Sequence, residues 1–520
     1  MKPTQHDESP SNETEASSHK QNKKKTGKMG TRGVARPMAT HHQMKSHHTM
    51  GKPYSDERKR LLQVHHKQTL WVYWSVVLLG FWTMLSPLTF GYETGLVQPA
   101  GGREVWLSMD ARITAMSWSD IISGALLVIL GWRSLTPNRP YSLWACCFVG
   151  VWLTMAPLIF WSPSAAAYLN DTFVGAWVIA LTILVAGMPN MILYMEMGPS
   201  TPPGWSYNPS SWPQRWIMIA TGFMGWVVSR YLAAYQLGYI SNAWDPFFGA
   251  STAAVLTSDM SRSLPISDAG LGTVAYTFEF LMGFMGGPSR WRTMPWMVTF
   301  FGILVIPLGL VHIFLVISQP IVVGAWCTFC LLAAAIMLPM IPLEADEVIA
   351  MGQYIKRAKN RGESVWKVFW KGGSDPEEEQ GRKDQRSPEL IELSSEPGKV
   401  LKASLWGMSV PWNLLLASLL GLWLTVSPAV FSADGMSADI MHVAGLLVFS
   451  FSVLAMGEIL RACRFLNILL GLSLIVASFV VPTGAATQVH NILLGLLIAA
   501  VSLPRGIVKE QYGTWQSLVR

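Results

Sequence analysis

Twelve apolar stretches of about 18–25 residues divide most of this chain, and they leave little choice of fold. They lie near 71–90, 117–134, 141–161, 172–194, 215–239, 268–286, 294–317, 321–342, 410–430, 438–457, 464–482 and 488–504. In lipid a backbone must satisfy its own polar groups, so runs of this length are helices. A composition of 51% hydrophobic and 14% charged residues over 520 positions agrees, and it excludes an ordinary soluble enzyme. The expectation is an all-α polytopic membrane protein of about twelve transmembrane helices, the middle four of them a bundle.

Charge placement orients the helices. The first 67 residues hold fourteen Lys and Arg and no apolar run, which argues against a cleavable signal peptide. Lys356 to Lys402, Arg290-Trp291-Arg292, Arg461 and Arg464 fall on the same side as both termini, whereas the opposite loops carry only Arg103, Arg112 and Arg262. The positive-inside rule then puts both termini in the cytoplasm, in a bacterial inner membrane. The net charge of +7 is a topology signal and calls for no nucleic-acid partner.

An internal repeat marks both ends of the chain. Gly80-Phe81-Trp82-Thr83-Met84-Leu85-Ser86-Pro87 recurs as Gly150-Val151-Trp152-Leu153-Thr154-Met155-Ala156-Pro157 and as Gly421-Leu422-Trp423-Leu424-Thr425-Val426-Ser427-Pro428. A fainter copy starts at Gly471-Leu472-Ser473-Leu474. The partner helices carry Asp120…Gly124, Asp171…Gly175, Gly445 alone, and Asn491…Gly495. Glycines let helices approach closely, so each copy reads as a packed helical hairpin, with a lipid or quinone groove as the other reading. These segments resemble the SPW repeat family, which is not tied to catalysis.

Trp326-Cys327-Thr328-Phe329-Cys330 lies inside the eighth stretch, near its outer, periplasmic start. Thiols at i and i+3 share a helix face and can exchange a disulfide. Cys146, Cys147 and Cys463 read as buried structural thiols. Pro203-Gly204-Trp205-Ser206-Tyr207-Asn208-Pro209, Ser267-Asp268-Ala269-Gly270-Leu271-Gly272 with Tyr276-Thr277-Phe278, and Pro342-Leu343-Glu344-Ala345-Asp346-Glu347-Val348 accompany the Cys pair through four helices. This unit resembles the vitamin K epoxide reductase family. The resemblance implies that Cys330 attacks a quinone and that Cys327 resolves the adduct as a disulfide. It also aligns Asp268 with the position that hydrogen-bonds the quinone carbonyl, where the family often has Asn. A protonated Asp268 would donate to a quinone oxygen; an ionised one would cap its helix. A helix N-terminus near Gly324 would favour a Cys327 thiolate.

The chain departs from the family at two places. The loop from Ser241 to Ile266 contains no cysteine where members usually carry a shuttle pair, and Ala334 stands where they have an aromatic residue. A thiol partner would have to reach Cys327 directly. The apolar tip Trp244, Pro246, Phe247 and Phe248 would either dock that partner or anchor in the interface. Arg230 and Glu279 both fall near the bilayer middle, where a charge needs a partner, so an ion pair between them is expected, structural or part of a proton relay. His312 lies level with the cysteines, as a quinone contact and proton donor or as a hydrogen-bonded core residue.

The resulting division is a basic, His-rich disordered cytoplasmic tail (1–69), SPW-like hairpins (70–197), a vitamin K epoxide reductase-like bundle (198–355), a cytoplasmic linker (356–406), further SPW-like hairpins (407–507) and a cytoplasmic tail (508–520). Within the linker, Ser364 to Lys371 alternates as an inner-leaflet anchor would. No metal site or nucleotide-binding loop stands out. The function expected is thiol–disulfide oxidoreduction, from a periplasmic thioredoxin-like partner through Cys327 and Cys330 to ubiquinone or menaquinone. The alternative is a non-catalytic scaffold or quinone- or lipid-binding module that has lost the shuttle cysteines.

Overall fold

The computed structural model describes residues 52–187, 200–375, 387–388 and 390–519. The His-rich stretch with His41-His42 and His47-His48, the end of the fourth expected span and Glu377-Glu378-Glu379 fall outside them. Residues Glu57–Arg520 form one compact unit. Among the described residues a helix at Lys52–Gln68 occupies the end of the tail expected to be disordered, and twelve further long helices follow: α1 (Leu70–Phe90), α2 (Met109–Ser134), α3 (Pro140–Ile159), α4 (Ala165–Ala186), α5 (Trp212–Gln236), α6 (Asp268–Gly283), α7 (Pro295–Ser318), α8 (Thr328–Asn360), α9 (Trp412–Phe431), α10 (Gly435–Met456), α11 (Arg464–Val480) and α12 (Ala485–Ser502). Among the described residues eleven helices are long and apolar enough to cross a membrane. The protein is an all-α, multi-pass membrane protein. Leu78, Leu88, Ile122, Phe148, Phe300 and Phe479 are exposed, as lipid-facing side chains are.

Of the twelve numbered helices, α6 falls outside that set, at 16 residues. It spans about 24 Å at 1.5 Å per residue, and a buried arginine closes its end. Arg215 donates from Nε and Nη2 to Gly283 O (2.9 and 2.7 Å), from Nη1 to Gly286 O (2.9 Å) and from Nη2 to Met285 O (2.9 Å). The orphan carbonyls of a helix C-terminus are thereby satisfied by a cation. The opposite departure is α8, whose 33 residues run past Pro339 and Pro342. The expected end at Pro342 is a continuation, and Glu344, Asp346 and Glu347 are buried on it.

The repeats form four hairpins, α1–α2, α3–α4, α9–α10 and α11–α12, each closed by two glycines from facing helices. A Cβ on Gly124 would lie 2.5 Å from Gly80 O, on Gly175 2.6 Å from Gly150 O, on Gly445 2.7 Å from Gly421 O, and on Gly495 2.6 Å from Gly471 O. Only glycine permits such backbone contact. The repeat tryptophans then tie hairpin to hairpin. Trp82 Nε1 donates to Asn170 Oδ1 (2.8 Å), Trp152 Nε1 to Ser119 Oγ (2.9 Å) and Trp423 Nε1 to His490 Nε2 (2.9 Å).

The first four helices dock on α6 through α3 and α4, and the last four dock on α7 and α8 through α10. At the end of the bundle nearest the C-x-x-C, Arg112 and Arg262 are spent on backbone carbonyls. Arg112 Nε donates to Trp161 O (2.7 Å) and Arg262 Nη2 to Gly101 O (2.6 Å). At the far end, the C-terminal strand-like segment is stitched to the central bundle and to the last repeat block. Glu458 accepts the amides of Lys509 and Glu510 (both 2.9 Å) and the Tyr512 hydroxyl (3.1 Å), while Gln353 bridges Trp205 and Tyr512 (both 2.9 Å). The stretch expected to alternate as an anchor is a short helix, Val365–Lys371. Its Trp366 is exposed and its Trp370 stacks on Trp296 at 6.3 Å.

Candidate functional site

Helix α8 begins at Thr328, four residues beyond the expected N-terminus near Gly324, because Gly324 takes a left-handed conformation (φ 68°) that ends the preceding turn. Cys327 is therefore the N-cap, and its Sγ accepts the Cys330 amide at 3.1 Å. Cys327 and Cys330 form a disulfide, with Cα atoms 5.2 Å apart. The Cys327 amide is held by Gln319 Oε1 at 2.9 Å. Cys327 is fully buried and Cys330 is half-buried, so Cys330 is the more accessible of the pair. Val228, Leu232, Ala243 and Leu256 surround the two sulfurs in an apolar cluster.

The loop from Ser241 to Ile266 folds over this helix start, and Asp245 pins it there. One carboxylate accepts the Thr328 amide (3.0 Å) and hydroxyl (2.6 Å), the amides of Phe247 (2.9 Å) and Phe248 (2.8 Å), and the Thr252 hydroxyl. Burial pushes this carboxyl up, but the Thr252, Thr328 and backbone donors outweigh it and hold it well below the usual carboxylate range. The aromatic tip thus becomes a lid. Trp244 approaches Phe329 (6.2 Å between rings), Phe248 stacks on Trp326 (6.5 Å), and Tyr231 meets Phe329 (4.9 Å) while donating to Trp244 O (3.1 Å). Trp244 and Phe247 remain exposed on its outer surface.

Asp268 is not the cap of α6, because Ser267 Oγ accepts the Gly270 amide (2.9 Å) and takes that role. Asp268 sits one residue in, with Oδ1 accepting from Gln236 Nε2 (2.5 Å), Ser261 Oγ (3.1 Å) and its neighbour's amide (2.8 Å). Its visible work is to fasten the lid loop to α5 and α6. His312 faces the bundle interior. Its Nδ1 lies 2.9 Å from Leu308 O and its Nε2 lies 3.1 Å from the Tyr276 hydroxyl. That hydroxyl is also 3.3 Å from Ala333 O, one turn along α8 from Cys330.

The expected Arg230–Glu279 ion pair does not form. Arg230 Nη1 donates to Thr172 Oγ1 of α4 (2.9 Å), and its guanidinium lies over the rings of Trp226 (4.9 Å), Tyr168 and Phe173 (both 5.3 Å). Glu279 is wholly buried, and neither of its oxygens has a partner. Depth alone put the two side by side; helix phase separates them. Gly225 faces Tyr276 of α6, and Arg230, five residues on, points about 140° away at 100° per residue.

Cys146 and Cys147 are free and buried, and Cys463 is free and half-buried. Among the described residues no three His, Cys, Asp or Glu side chains gather as a metal site would. Sequence reading passed over Asp245, Gln319, Tyr231 and Tyr276 as site residues. For Asp245 the signal was present, since Asp-Pro before two aromatics initiates a turn whose amides a carboxylate can collect.

The order of these parts is four helices, a lid loop after the first, and a C-x-x-C at the start of the fourth. Residues 216–345 match the vitamin K epoxide reductase family. Residues 103–185 and 411–505 match the SPW repeat domain. Comparison with curated proteins and with solved structures gave no match. The vitamin K epoxide reductase-like unit supports a redox role in the membrane, and the SPW repeats flank it in the chain.

Proposed function

We propose that this protein is a quinone-linked thiol–disulfide oxidoreductase of the bacterial inner membrane, with both termini cytoplasmic. The observation that carries the reading is the C-x-x-C disulfide at a helix N-terminus, half-open at Cys330, beside a buried Tyr276–His312 pair and under an aromatic lid. The basic residues of the opposite end and the structural use of Arg112 and Arg262 support the orientation.

A periplasmic thioredoxin-like partner docks on Trp244 and Phe247 and reduces the disulfide by exchange. With the pair reduced, the Cys330 thiolate adds to the ring of ubiquinone or menaquinone. Cys327 then attacks Cys330 Sγ, the sulfur–carbon bond breaks, and its electron pair stays on the ring, which takes up two protons as quinol. Two thiols are oxidised and one quinone is reduced. His312 and Tyr276 meet the quinone oxygen, while Asp268 holds the loop that closes over it.

Differential alkylation of Cys327 and Cys330 in purified membranes, with and without quinone, tests this. Quinone-dependent oxidation that disappears in Cys330→Ser supports the enzyme. A second reading, a scaffold that keeps the fold without turnover, draws on the buried Cys327 and the cysteine-free loop. Thiols that ignore quinone would establish it.

A further inference from the structure

Glu279 is the most exceptional side chain in the membrane core: a carboxyl with no exposure and no hydrogen-bond partner on either oxygen. An ionised carboxylate there would be several kcal/mol too costly, so the group carries its proton. Its surroundings give that proton somewhere to go. Towards the cysteines, Tyr276 precedes Glu279 by one turn on the same face of α6, and the Tyr276 hydroxyl touches His312 Nε2 (3.1 Å). Towards the other end lies the Glu344 carboxyl of α8. Glu344 is buried with Oε1 unpartnered, and one turn further Glu347 is paired with Arg290 at 2.6 Å.

We propose that Glu279 is the central carrier of a proton path joining the Tyr276–His312 pair to the Glu344, Glu347 and Arg290 cluster at the opposite end of the bundle. This rests on the quinone reading above and adds its proton source. The Tyr276 hydroxyl has two acceptors within reach, His312 Nε2 and Ala333 O. His312 Nδ1–H is fixed on Leu308 O. When His312 gains a proton on Nε2, the Tyr276 O–H turns to Ala333 O, and no hydrogen bond is lost. His312 then passes the proton to the reduced quinone, Glu279 reloads Tyr276 and His312, and Glu344 reloads Glu279. Per turnover the two thiols release two protons at the cysteine end, and the quinol takes two from the far end. Charge is therefore separated across the membrane although the overall reaction, two thiols plus quinone giving disulfide plus quinol, consumes no net proton.

The test uses the full-length protein in proteoliposomes with ubiquinone or menaquinone and a membrane-impermeant dithiol outside. Quinol formation and a voltage-sensitive dye are read together. The wild type should form quinol and a membrane potential. Glu279→Gln, a neutral isostere, should keep the unfolding midpoint, slow quinol formation by about 100-fold and lose the potential, and Glu279→Asp should restore part of both. Quinol formed without potential, or at an unchanged rate in Glu279→Gln, overturns the path and leaves the oxidoreductase standing. A fall in stability shared by Gln and Asp variants makes Glu279 structural and likewise overturns it. Absence of quinol in the wild type removes both.

Discussion

The two SPW blocks share a skeleton and differ in what it holds. Both close their hairpins with reciprocal glycines, at Gly80/Gly124 and Gly150/Gly175 in the first and at Gly421/Gly445 and Gly471/Gly495 in the second. In the first block the two crossing tryptophan bonds mirror one another, each ending on the residue before a buried aspartate. In the second only Trp423 makes the bond, since Ser473 replaces the other tryptophan and Ile440 the other acceptor. The first block buries Asp120 and Asp171, with Ser86 and Tyr92 donating to Asp120 and Asn170 to Asp171. The second has Met441 and Asn491 at those places. Backbone proximity is thus what the repeat requires, and polar decoration is free to vary.

That separation can be broken by experiment. Gly175→Val and Gly445→Val should be the most damaging and about equally so, each costing about 3 kcal/mol in detergent unfolding; tolerance in one block alone would mean the blocks are not equivalent scaffolds. Next, Asp120→Leu removes the acceptor shared by the Tyr92 and Ser86 hydroxyls and should cost about 2–3 kcal/mol, whereas Met441→Leu should stay under about 1.5 kcal/mol. Equal losses would show that the acid pair is mere filling. Thr172→Val removes the hydroxyl that accepts from Arg230 and should cost about 1.5–2 kcal/mol, and it has no counterpart in the second block. The smallest effect, about 1 kcal/mol each by thermal unfolding, is expected for Trp82→Phe, Trp152→Phe and Trp423→Phe. A markedly larger loss for Trp423 would show that the half-symmetric block depends more on its one remaining bond.

The helices, the repeats and the C-x-x-C were legible because each is written locally, as an apolar run, a recurring octapeptide or a spacing. The glycine partners could even be paired in advance from their separations, and the contacts fall on those residues. What was not legible depends on phase and on distant sequence. Arg230 and Glu279 agree in depth, but α5 turns the arginine toward Thr172 of α4. The eighth apolar run stopped at Pro342, yet α8 continues to Asn360. Asp245 lies 83 residues before Thr328, and only the folded loop brings them together.

That last contact ties reactivity to access. While Asp245 holds the first amide of α8, a negative charge already occupies the positive pole on which a Cys327 thiolate would depend. The same carboxylate holds the two amides that shape the aromatic tip. Lifting the tip therefore does two things at once: it uncovers the sulfurs, and it vacates the helix end for them. In the proposed reaction a closed tip would keep the reduced pair sheltered, and a docking partner would release it.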